Sequence, residues 1–347
     1  MQDSFNRARG PHLRKVMITG GAGFIGLSLA RHLLAKPEHG ITRLDLVDDF
    51  SRAVRDPDLE EVAKDARVEV TSVDLVGQGS LDGFGTDYAQ VFHFAAIIGV
   101  AHVLERPFDV LRGNIAMLDR VLEFGLQQSA LERLVFASTS EVYAGALANF
   151  TLPLPTPESA PLAVTDLSHP RTSYMLSKMY GEALCRHSGL PFTILRPHNI
   201  YGPRMGMAHV VPELLRKMRD APSHGRVPVA SAGHRRAFCY VADAVEMIAR
   251  SAWATSCCNE VLNIGNQSAE IEIFELAEAI RSSVGRPDIE LVRGAPTSGS
   301  PERRCPDMSK AARLTQYEPR VGIHEGLSLT FEWYEERIFS GRQESAG

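Results

Sequence analysis

The 347-residue chain lacks any apolar run approaching the roughly 18 to 20 residues of a membrane span. Its start, MQDSFNRARGPHLRK, lacks an apolar signal core and reads as a short polar tail. Five cysteines (Cys185, Cys239, Cys257, Cys258, Cys305) form no C-x-x-C pair and are odd in number. A disulfide framework is therefore not expected, and reduced thiols in a cytoplasmic protein are. The vicinal Cys257-Cys258 pair is the one place where redox chemistry could sit. Twelve histidines fall without H-x-x-x-H or H-x-H spacing, so no metal site is expected. Positive charge is not in surplus either. A formal net charge of −5 gives no electrostatic reason to expect a nucleic-acid partner. Repeats and low-complexity tracts are absent.

What is present is ordinary globular material, 44% hydrophobic and 23% charged. Short apolar runs at 15–19, 41–47, 68–73, 91–96 and 133–137 read as strands, with helical patterns between several of them, notably 110–127. That alternation implies βαβ units and a parallel sheet with right-handed crossovers. The expected fold is α/β: a Rossmann-type parallel sheet with helices on both faces, plus a smaller C-terminal α+β substrate domain. The boundary is placed between a dinucleotide-binding unit, 14–197, and a substrate unit, 198–340, with a strand at 261–264 able to return to the first. Residues 152–172, rich in Ser, Thr and Pro, read as a long surface loop. A helix is expected over 173–187, a strand over 192–196, and further helices over 211–219, 241–252 and 273–284.

Gly20, Gly23 and Gly26 stand where a strand turns into a helix. Glycine permits the tight turn, a close pyrophosphate and close helix–strand packing, while the helix start offers free N–H groups. Asp48 follows 22 residues after Gly26, at the end of the next strand, where a carboxylate accepts ribose hydroxyls and repels a 2′-phosphate. NAD is thus favoured as cofactor, although Arg43 and Arg52 nearby leave NADP open. Asp74, ending the third strand, suits either an adenine contact or a simple turn. Tyr174 and Lys178 are four apart on a helix and share a face. A lysine there is expected to lower the phenol's pKa, so that tyrosinate can take a proton from a sugar hydroxyl.

The segments TGGAGFIG, HFAA, STSEVY, YMLSK, RPHNIYGPR, RRAFCYVAD and ERRCPD, with Asp48 and Asp74, resemble the extended short-chain dehydrogenase/reductase family. Its members are NAD-dependent nucleotide-sugar epimerases, dehydratases and decarboxylases. The resemblance spans about residues 14 to 335 and implies a nucleotide-diphosphate sugar as substrate. It makes Thr139, Glu141, Tyr174 and Lys178 the expected catalytic set. Thr139 would bond the reacting sugar oxygen, Tyr174 would be the base, and Lys178 would hold the nicotinamide ribose. Phe24, Ile25, Leu75, Ala95, Ala96 and Asn114 join the expected cofactor contacts, Asn114 by steadying the lysine's surroundings. Ser140, Asn199, Arg236 and Arg304 become expected substrate contacts, the arginines as clamps for a pyrophosphate or sugar substituent. Arg235 is expected to be a solvated charge. The family also commonly pairs two helices per subunit into a four-helix homodimer interface, here the helices near 110–127 and 173–187.

Glu141 decides the reaction class. A 4-epimerase needs no carboxylate here, whereas a dehydratase needs an acid and a base. The dTDP-glucose dehydratases carry Thr-Asp-Glu where this chain has Thr139-Ser140-Glu141, so their acid is replaced by a hydroxyl. Thr-Ser-Glu resembles the UDP-glucuronate decarboxylases and GDP-mannose dehydratases, and Arg304 matches the arginine decarboxylases place near the carboxylate. TSYMLSK in place of their CYDEGK, together with HFAAIIGV and RPHNIYGP, leans towards the epimerases. The expectation is therefore an epimerase acting through a 4-ketosugar, with decarboxylation and dehydration as alternatives. Glu141 could instead bond a neighbouring loop. A non-catalytic dinucleotide-binding protein is the alternative from another class, disfavoured because Thr139, Tyr174 and Lys178 are all kept.

Overall fold

The computed structural model describes residues 13–340, apart from 78, 165 and 297–300. Most of the expected polar tail lies outside them. The first half alternates as expected: β1 (Arg14–Thr19), α1 (Phe24–Leu34), β2 (Ile41–Asp48), α2 (Pro57–Ala63), β3 (Val68–Ser72), β4 (Tyr88–His93), α3 (Val100–Glu105), α4 (Pro107–Leu126) and β5 (Arg133–Ala137). Then come α5 (Ala144–Asn149), α6 (Arg171–His187) and β6 (Phe192–Pro197). Alternation fades in the remainder: β7 (Ile200–Tyr201), α7 (Val210–Asp220), β8 (Arg226–Val229), β9 (Arg235–Ala237), β10 (Cys239–Tyr240), α8 (Val241–Trp253) and β11 (Glu260–Ile264). Finally come β12 (Glu270–Glu272), α9 (Ile273–Ser283), β13 (Glu290–Arg293), β14 (Arg303–Arg304), α10 (Ser309–Thr315) and α11 (Ile323–Tyr334).

Seven strands pair in the order β11-β6-β5-β4-β1-β2-β3, every pair parallel. Their apolar runs are continuous because both faces are covered. Val16 and Ile18 pack with α1 and α8 on one side. Met17, between them, packs with α4 and Cys185 of α6 on the other. The strand period of two thus divides one sequence between two cores. Strand β1 lies between β2 and β4, so the chain reverses direction there and leaves a crevice at the carboxyl ends.

Two local expectations change. The expected strand at 91–96 begins at Tyr88 and stops at His93, which frees Phe94–Ala96 to form a loop. The 152–172 stretch is not simply a surface loop, since Thr156 is 1% exposed and bridges Pro306. After β6 the chain crosses back: β11 pairs with β6, and α8 shares a core with α1. The other C-terminal strands form small separate sheets, including a three-stranded one, β12-β9-β14. Among the described residues no helix is long and apolar enough to cross a membrane.

Candidate active site

The crevice floor is the turn that follows β1. Gly20 makes the bend at φ +72°, a left-handed conformation disfavoured by any side chain. A Cβ there would also stand 2.7 Å from the Ala95 nitrogen. At Gly26 a Cβ would collide with the Gly20 carbonyl. Gly23 starts α1 without a side-chain cap, so the first N–H groups of the helix remain for a ligand. Phe24 and Ile25 pack part of their side chains on the core and carry the first backbone N–H groups of the helix. Asp48 accepts hydrogen bonds from the N–H of Ala22 (3.1 Å) and of Phe50 (3.0 Å). Burial pushes its pKa up, and those two N–H bonds pull the other way.

Neighbouring loops close the walls. Asp74 accepts from the N–H of Val76 and Gly77 at 2.8 and 3.0 Å, which is the turn role. Leu75 is buried in the core, so its side chain is not presented to a ligand. Asn114 accepts from the Ile97 N–H at 2.7 Å and donates to the Ile97 carbonyl and to Ser177 Oγ, both at 3.2 Å. It thereby pins the loop carrying half-buried Ala95 and Ala96 to α6, next to Lys178. Arg43 is drawn away by Asp45 and Glu69, which removes one of the two arginines that left NADP open.

At the end of β5 the chain makes one tight turn, Ser140–Tyr143, and Thr139 caps it by accepting from the Glu141 N–H at 3.2 Å. Tyr174 and Lys178 reach this point from α6. Lys178 is 3% exposed and donates to the Ala137 carbonyl at 2.8 Å. Its nitrogen stands 5.8 Å from the Tyr174 ring centre. Burial lowers the ammonium to about 8. The expected lowering of the phenol by this lysine is not found. Burial pushes the Tyr174 pKa up and the Glu141 charge adds to it, opposed by a hydrogen bond with Thr139 and by Arg52. The lysine, itself brought down to about 8 by burial, bonds a strand carbonyl and not the phenol.

The second half of the site comes from the C-terminal lobe. Strands β9 and β14 pair in parallel, setting Arg236 opposite Arg304, and both are buried. Arg304 donates to Glu141 Oε1 at 2.6 Å and to Ser140 Oγ at 3.4 Å. Glu141 keeps 41% of its side chain accessible. Its pKa is lowered chiefly by Arg304, against burial, with Arg171 and Arg236 assisting. Arg236 donates to the carbonyls of Arg235 and Glu302. Burial and then the Arg304 charge bring its pKa down to about 10. Asn199 holds φ +41° and gives its amide to the Ala237 carbonyl at 3.0 Å. It joins the two halves, with that amide already engaged. Arg235 stays 43% exposed near Glu275.

Sequence reading missed two groups. Arg204 donates to the Ala22 carbonyl (3.0 Å) and to Asp56 (2.8 Å), bracing the glycine turn from the far lobe. Beneath the site, Glu182 accepts from Ser138 Oγ (2.6 Å) and from Arg196 Nε and Nη2 (2.8 and 2.7 Å). Arg196 also reaches the Tyr143 hydroxyl at 2.7 Å. Glu182 lies four residues past Lys178 on the same helix face, and that spacing is the signal that could have found it.

A family model described as the NAD dependent epimerase/dehydratase family matches residues 16–265. The chain belongs to this family. Among curated relatives, a UDP-N-acetyl-alpha-D-glucosaminuronate decarboxylase of Bacillus cytotoxicus is 31% identical, over 93% of this chain and 98% of its own. UDP-glucuronic acid decarboxylase 6 of Arabidopsis thaliana is 28% identical, over 93% and 90%. A solved UDP-glucose 4-epimerase of Thermotoga maritima superposes with a TM-score of 0.77 at 25% identity, over 93% and 99%. The protein is an NAD-dependent enzyme of the nucleotide-sugar epimerase, dehydratase and decarboxylase class. The cradle fits that cofactor: only glycine fits at 20 and 26, the helix start is uncapped, and a carboxylate ends β2.

Proposed function

We propose that the enzyme decarboxylates a UDP-linked uronic acid through a 4-ketosugar. The observation that carries this reading is the charge balance around Glu141. Arg304, Arg236 and Arg171 all act on this one carboxylate, and a substrate carboxylate supplies the missing negative charge. The curated relatives named above, matched over nearly their whole length, support the same substrate class.

Gly20 to Gly26 and Asp48 would hold the dinucleotide, with Lys178 at its nicotinamide ribose. Bound NAD supplies a reversible two-electron acceptor for the sugar's C4. Tyr174, ionised once the positive charge of bound NAD offsets the burial and the Glu141 charge that raise its pKa, would take the proton of the C4 hydroxyl, and Thr139 bonds the same oxygen. Once C4 is a ketone, the C5 carboxylate belongs to a β-keto acid. The C5–C6 bond breaks, its electron pair passes into the enolate on C4, and carbon dioxide leaves. Tyr174 and Thr139 then face the enolate oxygen, where a hydrogen bond to charge is worth about 1.5 to 3 kcal/mol. C5 takes a proton and the ketone is reduced back. Arg304, whose Nη1 is held by Glu141 and Ser140, meets the substrate carboxylate with its remaining Nη2 and loses that second anion when neutral carbon dioxide forms. Asn199 and Arg236 serve the substrate's diphosphate side.

Dehydration fits less well. It needs a carboxylic acid to protonate the leaving hydroxyl, but Arg304 keeps Glu141 ionised and position 140 is a serine. Epimerisation, first in the sequence reading, becomes the second reading. The solved 4-epimerase at 25% identity favours it, but it leaves Arg304 without a substrate anion to meet. Association of two copies through α4 and α6 belongs to the same proposal. Proton NMR of products from UDP-glucuronate, its 2-acetamido analogue and UDP-glucose tests the reaction. A pentose product supports decarboxylation, and inverted C4 without carbon loss refutes it.

A further inference from the structure

His198, at the end of β6, is fully buried and has no part in the chemistry above. Its tautomer follows from its neighbours. Asn263 donates its amide to the carbonyls of Thr156 (3.0 Å) and Asp307 (3.1 Å), which fixes Oδ1 as the acceptor. That oxygen meets the Tyr143 hydroxyl at 3.0 Å and His198 Nε2 at 3.2 Å. The Tyr143 oxygen already accepts from Arg196, so its proton goes to Asn263. His198 Nε2 must then carry a proton, and Nδ1 is left with a lone pair.

Nδ1 is buried without a hydrogen-bond partner among the described residues, and so is Nε of Arg304. One is an acceptor and the other a donor, and leaving both unmet would cost about 1 to 3 kcal/mol each. Asn263 bonds both the His198 ring and the Asp307 carbonyl, three residues past Arg304. The Arg304 charge is felt at the His198 ring, which burial first and that charge second hold neutral, down to about 3. Arg196 and Glu141 also act on the ring.

We propose that His198 is a positioning residue for Arg304. Its Nδ1 lone pair accepts from the Arg304 Nε–H across one bridging water, since the two atoms make no direct bond, and this aims the rest of the guanidinium at the substrate anion. Only the substrate arm of the test rests on the decarboxylase reading.

In protein labelled with 15N-histidine, two-bond correlations separate protonated from lone-pair ring nitrogens. The expected result at pH 7.5 is Nε2–H for His198, with an Nδ1 resonance that moves in Arg304→Gln. An Nδ1–H tautomer, or an unmoved resonance, overturns the proposal. In calorimetry with UDP-glucuronate, His198→Phe should weaken binding about tenfold. His198→Asn, whose oxygen replaces the Nδ1 acceptor, should stay within about threefold of wild type. NAD affinity should not move in either. Equal losses in both variants overturn the acceptor role. If wild type itself ignores UDP-glucuronate, the decarboxylase reading falls and the tautomer measurement still decides the role of His198.

Discussion

Glu182 gives the clearest stability prediction. Its carboxylate and the Arg196 guanidinium are 5% and 3% exposed and 2.7 Å apart. Both Glu182 oxygens are used, one by Ser138 and Arg196 Nε, the other by Arg196 Nη2. Glu182→Met strands a buried guanidinium with only the Tyr143 hydroxyl and the Glu158 carbonyl as acceptors. Breaking such a pair from one side costs about 3 to 5 kcal/mol, a large share of the roughly 5 to 15 kcal/mol that holds a typical domain folded. Removing both charges in Glu182→Met/Arg196→Met should cost clearly less than the single change, because no charge is left uncompensated. Urea unfolding of wild type, both singles and the double at pH 7.5 measures this. A single-variant loss below about 1 kcal/mol, or a double-variant loss equal to the sum, refutes the reasoning. Ser138 precedes Thr139, so the single variant should also slow turnover.

Tyr174→Phe should abolish turnover while NAD still binds, read by product NMR and by cofactor titration; a normal rate removes Tyr174 as the base. Burial brings His93 and His198 down to about 3, from an ordinary 6.5. Between those values the unfolded chain binds protons that the native protein does not, so stability falls as pH drops below 6.5. The loss approaches about 1.4 kcal/mol per pH unit for each histidine. Urea midpoints at pH 7.0 and 5.5 should therefore separate less in His198→Asn than in wild type, and equal separations contradict the account. Phe108, Leu126 and Tyr180 remain exposed on α4 and α6. Sedimentation should find a dimer that Tyr180→Glu weakens, and a monomeric wild type refutes that pairing.

Much of the fold was legible because strands buried on both faces read as unbroken apolar runs, as at Val16-Met17-Ile18. The glycine turn was legible for a similar reason, since geometry admits only one residue type at Gly20 and Gly26. What escaped was set by distant partners. Phe94 continues an apolar run, yet it leaves the sheet with the loop that Asn114 anchors at Ile97. Thr156 lies in a Pro-rich stretch that looks solvated, yet it is buried against Pro306. Spacing placed Lys178 and Tyr174 on one helix face, but it does not say what each will bond, and the lysine's bond to the Ala137 carbonyl was not legible. Glu141 was recognised as decisive, but its partner 163 residues away gives its charge state.

The central claim is most directly tested with UDP-glucuronate carrying 13C at C6. The account predicts that wild-type protein with NAD releases the label as bicarbonate and leaves an unlabelled UDP-pentose, and that Arg304→Leu releases almost none. Label retained in a six-carbon sugar inverted at C4 would contradict it.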